Sequence, residues 1–177
     1  MFFVESEEDF AICPNCGEIL VFHSRIIRNL RKKSGEKQRY RIRVLKCNNQ
    51  SCPTTYHREL PDFIIAYRRF EAEAIEETIS QKNAEITVSA DQSTLFRWRQ
   101  WFDRSATYII MALLSVQATI ENNTISSSLK IQGKKPRKLI TEIKNIVARN
   151  DGWLNECSRI LVNSSKWIIN RSAFLSG

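Results

Sequence analysis

The residues of this chain best suited to chemistry are its cysteines. Cys13 and Cys16 lie in CPNCG, Cys47 and Cys52 in CNNQSCP, and 30 residues separate the two pairs. A two-residue gap lets both sulfurs of a knuckle face one tetrahedral cation, with Gly17 placed to supply the positive φ of a tight turn. The wider gap of the second pair is within the usual range for such ligands. Two short-spaced pairs in a reducing compartment read as a metal site rather than as disulfides, and Zn2+ suits four thiolates. A redox pair and iron in a rubredoxin-like site are the alternatives. Four thiolates would close the metal shell, leaving no open position for Lewis-acid catalysis, so the expected role is structural. His57, five residues beyond Cys52, and His23 are possible substitute ligands, with an ordinary strand or surface role as the competing reading. Cys157 falls in an apolar-periodic stretch and reads as a buried small thiol rather than a nucleophile.

Between the knuckles the chain reads as a long β-hairpin. In Arg39-Tyr40-Arg41-Ile42-Arg43-Val44, bases alternate with apolar residues, so a strand places Arg39, Arg41 and Arg43 on one face and Tyr40, Ile42 and Val44 on the other. Ile19 to Arg28 is β-rich and suits the partner strand. The turn region 29–37 carries Arg31, Lys32, Lys33 and Gly35, and a third strand from Thr54 to Leu60 would be ended by Pro61. The expectation is a three-stranded zinc ribbon with a basic arm.

Charge is distributed to match. Residues 1–21 hold five acids and no base, whereas residues 22–46 hold ten bases and one acid, within a chain of 177 residues and net charge +8. A second basic zone runs from Lys130 to Lys138. These zones favour an anionic partner, with solvated loops as the competing reading. The composition, 42% hydrophobic with only 5 Gly and 4 Pro, excludes collagen-like and low-complexity classes. The longest apolar run, Tyr108 to Val116, is too short to span a bilayer, and the acidic start lacks a signal peptide's basic region. A soluble, cytoplasmic protein is expected, with no membrane partner.

After Pro61 the period becomes helical. Phe70, Ala74, Ile75, Thr78 and Ile79 form an apolar stripe, with Glu71, Glu73, Glu76 and Glu77 assigned to the exposed side. A polar connector follows from Gln81 to Ser89. Ser89-Ala90-Asp91-Gln92 resembles a capping box opening a second helix to about Asp103, with Leu95, Trp98 and Phe102 inward. Ser93, Arg97, Gln100 and Arg104 share its opposite face, where they are suited to base edges and phosphates; a plain amphipathic bundle helix is the competing reading. The pair is a helix-turn-helix candidate, although the connector is long. Thr107 to Ile120 reads as a separate buried helix. Leu139 to Ala148 and Leu154 to Ile169 read as helices whose role is core packing or partner docking.

The order CPNCG, basic arm, RIRVLKC, second cysteine, Thr54 or Thr55, His57 and LPDF, then STLFRWRQWF, resembles an uncharacterised bacterial family of zinc-ribbon plus helix-turn-helix proteins. Those look like the N-terminal DNA-binding portions of insertion-sequence transposases. The resemblance covers about residues 11–104. It implies zinc at Cys13, Cys16, Cys47 and Cys52, and DNA contact from the helix carrying Thr94, Arg97 and Arg99. CNNQSC departs from the shorter second knuckle common in such families. Transposases of this kind continue into a three-carboxylate catalytic domain, for which the 73 residues after Arg104 leave no room.

The sequence therefore predicts an α+β chain. It comprises a zinc ribbon with a long basic hairpin (1–62), a helix-turn-helix-like domain (63–120), a basic linker (121–138) and C-terminal helices (139–177). The expected function is non-enzymatic: a zinc-stabilised binder of double-stranded DNA, acting as regulator or accessory factor of a mobile genetic element. Arg25, Arg28, Arg39, Arg41 and Arg43, with Arg31, Lys32 and Lys33 at the turn, would hold the backbone. Ser93, Thr94, Arg97, Arg99, Gln100 and Arg104 would serve the groove. A module docking on a transposase or polymerase is the first alternative. RNA or single-strand binding is the second, since Tyr40, Trp98 and Trp101 would stack bases if exposed.

Overall fold

Alternating apolar and basic side chains cannot leave both faces of a hairpin equally wet, and this asymmetry organises the N-terminal half. The structure, a computed structural model, describes residues 1–4, 10–66, 68–81, 85–121 and 136–164. Its elements are β1 (Phe2–Val4), β2 (Ala11–Ile12), β3 (Ile19–Arg31), β4 (Lys37–Lys46), β5 (Tyr56–Arg58), α1 (Ala72–Ser80), α2 (Gln92–Glu121), α3 (Pro136–Val147) and α4 (Trp153–Asn163). The chain is α+β.

Strands β3 and β4 pair antiparallel from Val21↔Lys46 to Arg31↔Lys37. The inner face carries Ile26, Leu30, Tyr40 and Ile42, which pack with Leu60, Phe63 and Ile64 into a small core. Each fully buried aliphatic side chain there contributes about 1.5–3 kcal/mol. Five strands form the sheet, not three. β1 runs parallel to β4 with Phe3 beside Arg41, β2 pairs with the start of β3, and β5 joins β4 at Val44–Lys46. A three-residue parallel edge strand contributed by the chain terminus carries too little local pattern to read in advance. A bulge between Phe22 and Ser24 shifts the register, so Phe22 and Arg25 fall on the same face instead of opposite ones.

The hairpin tip is docked on the helical region. Arg31 accepts from Glu71 N (3.0 Å) and donates to Arg69 O (2.7 Å), and Ser89 N donates to Lys33 O (2.9 Å). Lys33 N donates to Glu71 Oε1 at 2.7 Å, and its ammonium pairs with Glu77. Glu76 and Glu77 are therefore not solvated as the helical period suggested. Glu77 is 8% exposed, and burial alone would raise its pKa, but Lys33 and the Thr87 N–H and hydroxyl lower it on balance. Glu76 accepts from Gly152 N and Leu154 N, both at 2.9 Å. It thus supplies from α1 the cap that α4 lacks in its own sequence.

Helix α2 is continuous over 30 residues, joining what the sequence divides near Asp103. No glycine or proline interrupts it, and Ser105 and Ala106 are buried, so the polar stretch is absorbed rather than ending the helix. Leu95, Trp98, Trp101, Phe102, Ile109, Ile110 and Leu113 of α2 form the spine of a core completed by α1, α3 and α4, including Trp153 and the fully buried Cys157. Its N-cap is Asp91, which accepts from Thr94 N (2.8 Å) and from the hydroxyls of Ser93 and Thr94. Ser89 instead bonds the hairpin. Residues 81–91 lie between α1 and α2, a longer connection than the three or four residues of a compact helix-turn-helix. The expected linker 121–138 and the stripe end at Trp167 and Ile168 lie largely or wholly outside the described residues.

Two local features bear on stability. Gly35 has φ +88°, and an added Cβ would lie 2.8 Å from Ser89 Oγ. Gly35→Ala should lower the unfolding free energy by at least about 1–2 kcal/mol from left-handed strain alone, measured by urea denaturation. The Asp91 carboxyl is held at about 2, below its ordinary 3.8, by the Ser93 and Thr94 donors. Its stabilising contribution is present above about 3.8 and is lost as pH falls through about 2. The stability gap between wild type and Asp91→Asn should shrink across that window; a constant gap would refute the assignment.

Candidate metal centre and basic sheet face

Each knuckle is shaped by its own short-range bonds. Gly17 N donates to Cys13 O (2.9 Å) and Cys13 N to Glu18 O (2.7 Å), with Gly17 at φ +77° as its position after the pair suggested. In the second knuckle Ser51 N donates to Asn49 Oδ1 (2.9 Å) and Cys47 N to Thr55 O (2.8 Å). The two extra residues of CNNQSC are taken up in this turn, and Cys52 still reaches the cluster. The four sulfurs lie within 4.8 Å of one another, with Cys13–Cys52 at 3.7 Å and Cys16–Cys47 at 3.5 Å. Zinc–sulfur bonds of about 2.3 Å in a tetrahedron set sulfurs about 3.8 Å apart, so the donor set fits one tetrahedral metal.

The centre is half sheltered. Cys13 and Cys47 are buried with Leu20 and Leu45, while Cys16 is exposed. Burial works to raise the Cys13 pKa, yet the Asn15 and Cys16 N–H groups and the neighbouring thiols bring it to about 6. Burial pushes Cys47 up to about 12. His57 Nε2 lies 3.4 Å from Cys13 Sγ and 3.2 Å from Thr54 O, a neighbour of the four-sulfur cluster. His23 packs on Tyr56, ring centroids 4.8 Å apart.

The basic residues sort into three settings. On the outer sheet face Arg25 stands opposite Arg43, Ile27 opposite Arg41 and Asn29 opposite Arg39. Arg43 makes a two-pronged pair with Glu59, at 2.6 and 2.7 Å. No ion pair engages Arg39 or Arg41 among the described residues. Arg28 lies on the other face, opposite Tyr40. It donates to Arg68 O at 2.6 Å, and burial lowers its pKa. It therefore leaves the phosphate-facing group to which its sequence position assigned it.

At the hairpin tip, Arg31 lies over Phe70, 5.8 Å from the ring centroid, Lys32 pairs with Glu36 at 3.8 Å, and Lys33 is committed to Glu77. Arg31 and Lys33 serve the junction, whereas the Lys32 pair is internal to the hairpin turn. On α2 the hydroxyls of Ser93 and Thr94 are engaged by Asp91, and Arg97 donates to Ser93 Oγ at 3.0 Å. Arg99 donates to the carbonyls of Thr78 (2.9 Å) and Gln81 (3.2 Å), closing the C-terminus of α1 with a cation. Arg104 is exposed and Gln100 half-buried. The outer face also presents Phe3 and Phe22, which the sequence pattern does not single out. Their signal is parity with the arginines, visible only once β1 and the bulge are placed. Among the described residues, no helix is long and apolar enough to cross a membrane.

Loaded protein should hold one divalent metal per chain, measured by colorimetric release of metal with a thiol-modifying reagent. Cys47→Ser should lose tight binding, whereas Cys157→Ser should retain one equivalent. Equal metal content in Cys47→Ser and wild type would overturn the four-sulfur site.

Residues 13–98, from the first knuckle cysteine to Trp98 in α2, match a family described as a domain of unknown function (DUF6431). No curated protein and no solved structure matches the chain. The similarity thus covers the cysteine cluster, the basic hairpin, its docking site and the start of the central helix.

Proposed function

We propose that this protein is a zinc-stabilised DNA-binding protein whose nucleic-acid contact is the outer face of its ribbon, with the metal in a purely structural role. The observation that carries the reading is Arg39 and Arg41, with Arg25 on the facing strand, held on one sheet face by strand pairing, while Arg43 on the same face is committed to Glu59. Residues two apart on a strand repeat every ~6.8 Å. A rigid row of guanidinium groups at that pitch suits successive phosphates, and Arg offers them two-pronged hydrogen bonds. The cysteine cluster stands at one end of the same hairpin and the helical region at the other, so both ends are restrained.

Helix α2 supports base reading less well, because Ser93, Thr94, Arg97 and Arg99 already have partners within the fold. The resemblance of CPNCG, RIRVLKC, LPDF and STLFRWRQWF to transposase-like N-terminal regions supports the further proposal of a regulator or accessory factor of a mobile element. Docking on another protein is the second reading, favoured by Phe96, Tyr108 and Met111, which stand 64%, 47% and 49% exposed along α2.

Fluorescence anisotropy with labelled DNA at two salt concentrations tests the reading. Arg39→Ala combined with Arg41→Ala should weaken binding roughly tenfold. The double variant should also flatten the salt dependence by about one unit of log–log slope for each phosphate no longer neutralised. Arg104→Ala should do neither. Absence of binding by the zinc-loaded protein at low salt, or an unchanged double variant, would defeat the proposal.

A further inference from the structure

The outer sheet face holds more than arginine. Phe3 is 65% exposed, Phe22 55% and Ile27 52%, each on the same side as Arg41, Arg25 and Arg43. The Arg41 guanidinium lies 5.3 Å from the Phe3 ring centroid, and the Arg25 guanidinium 5.1 Å from that of Phe22. Large apolar rings left in water on a basic face indicate a partner with both negative charge and flat apolar surface. Unstacked nucleobases on a phosphate backbone have that chemistry. We infer that this face binds an unpaired strand, with phosphates on Arg25, Arg39 and Arg41 and bases stacked on Phe3 and Phe22.

The width of the face argues in the same direction. A duplex major groove is about 12 Å wide and admits a helix or a two-stranded ribbon. At the level of Phe3 the face is three strands across, β1–β4–β3, with Phe3, Arg41 and Ile27 abreast. With strands ~4.8 Å apart, the outer two lie about 10 Å from each other before side chains are added, which overfills the groove. A duplex also hides its base faces in the stack, leaving Phe3 and Phe22 without a partner. A single strand lies flat across such a sheet and presents base after base.

The aromatic residues that the sequence suggested for stacking do not serve. Tyr40, Trp98 and Trp101 are 8%, 4% and 7% exposed and belong to the two cores. The β1 strand and the bulge before Ser24 create the platform instead. One brings Phe3 beside Arg41, and the other turns Phe22 onto the arginine face.

The inference rests on the arginine face being the nucleic-acid contact, and one experiment separates the two. Zinc-loaded full-length protein is titrated into an unstructured pyrimidine-rich DNA strand, the same strand carrying 2-aminopurine, and the matching duplex. The expected result is at least tenfold tighter binding to the single strand, with a change in 2-aminopurine fluorescence on binding. Phe3→Leu with Phe22→Leu, which keeps apolar bulk on exposed positions, should abolish the fluorescence change. It should also weaken single-strand binding by roughly tenfold or more per stacked base, with duplex binding unaltered. Circular dichroism and metal content confirm that the variant is folded. Equal or tighter duplex binding, or a Leu variant indistinguishable from wild type on the single strand, overturns the stacking inference while leaving the arginine reading intact. Failure to bind either DNA overturns both.

Discussion

At the open end of the β3–β4 hairpin, four sulfur atoms from distant parts of the chain share one small volume. Cys13 and Cys16 precede β3, and Cys47 and Cys52 follow β4, so the cluster clamps the open end of the hairpin. Four thiols at this spacing are poorly matched without a cation. One is pulled down to about 6 and another pushed up to about 12, since burial and crowding cannot accommodate several thiolates together. A divalent cation would bind all four thiolates at once and offset much of their mutual repulsion, and its binding energy would become folding energy. Leu20 and Leu45 cover the buried side and carry the restraint into the sheet. From there the β3–β4 ladder fixes the register of every arginine on the face.

The far end of the hairpin is fixed by different physics. The tip residues Arg31 and Lys33 exchange main-chain hydrogen bonds with Arg69, Glu71 and Ser89, and the Lys33–Glu77 pair is set into the junction. An ionised carboxylate with so little exposure persists only with a close cation and good donors. Glu77 has Lys33 and both polar groups of Thr87. The basic arm is therefore no loose appendage. Arg28, Arg31 and Lys33, three of the ten bases in residues 22–46, are engaged with residues 68–77, leaving a smaller group of arginines on the outer face.

The same division of labour recurs on α2. A helix bearing Ser93, Thr94, Arg97 and Arg99 reads locally as a groove reader, yet its first turn is occupied by the Asp91 cap and Arg99 closes α1. Capping and recognition call on the same chemistry, namely short polar side chains and guanidinium groups at a helix end. Sequence spacing cannot distinguish them. What decides is whether an unpaired backbone group lies within reach, and here the carbonyls of Thr78 and Gln81 do.

The sequence by itself determined what depends on neighbours a few residues apart. The knuckle spacing sets the cysteine cluster, Gly17 its turn, and strict alternation in Arg39–Val44 the two faces of β4. Helical periods mark Ala74, Ile75 and Ile79, and Leu95, Trp98 and Phe102, as core. Each follows from a local repeat or a steric demand of the residue itself. Tertiary structure alone decided the rest. It paired β1 with β4, placed the bulge that brings Phe22 beside Arg25, and turned Arg28 inward. It also gave Glu76 and Glu77 partners from α4 and the hairpin, and ran α2 unbroken past Asp103. These outcomes turn on hydrogen bonds and charge pairs between residues far apart in the chain, as Glu76 with Gly152 and Lys33 with Glu77 illustrate. No local pattern encodes such a partner, because the energy of burying a charge or a backbone group is set by what the fold brings against it.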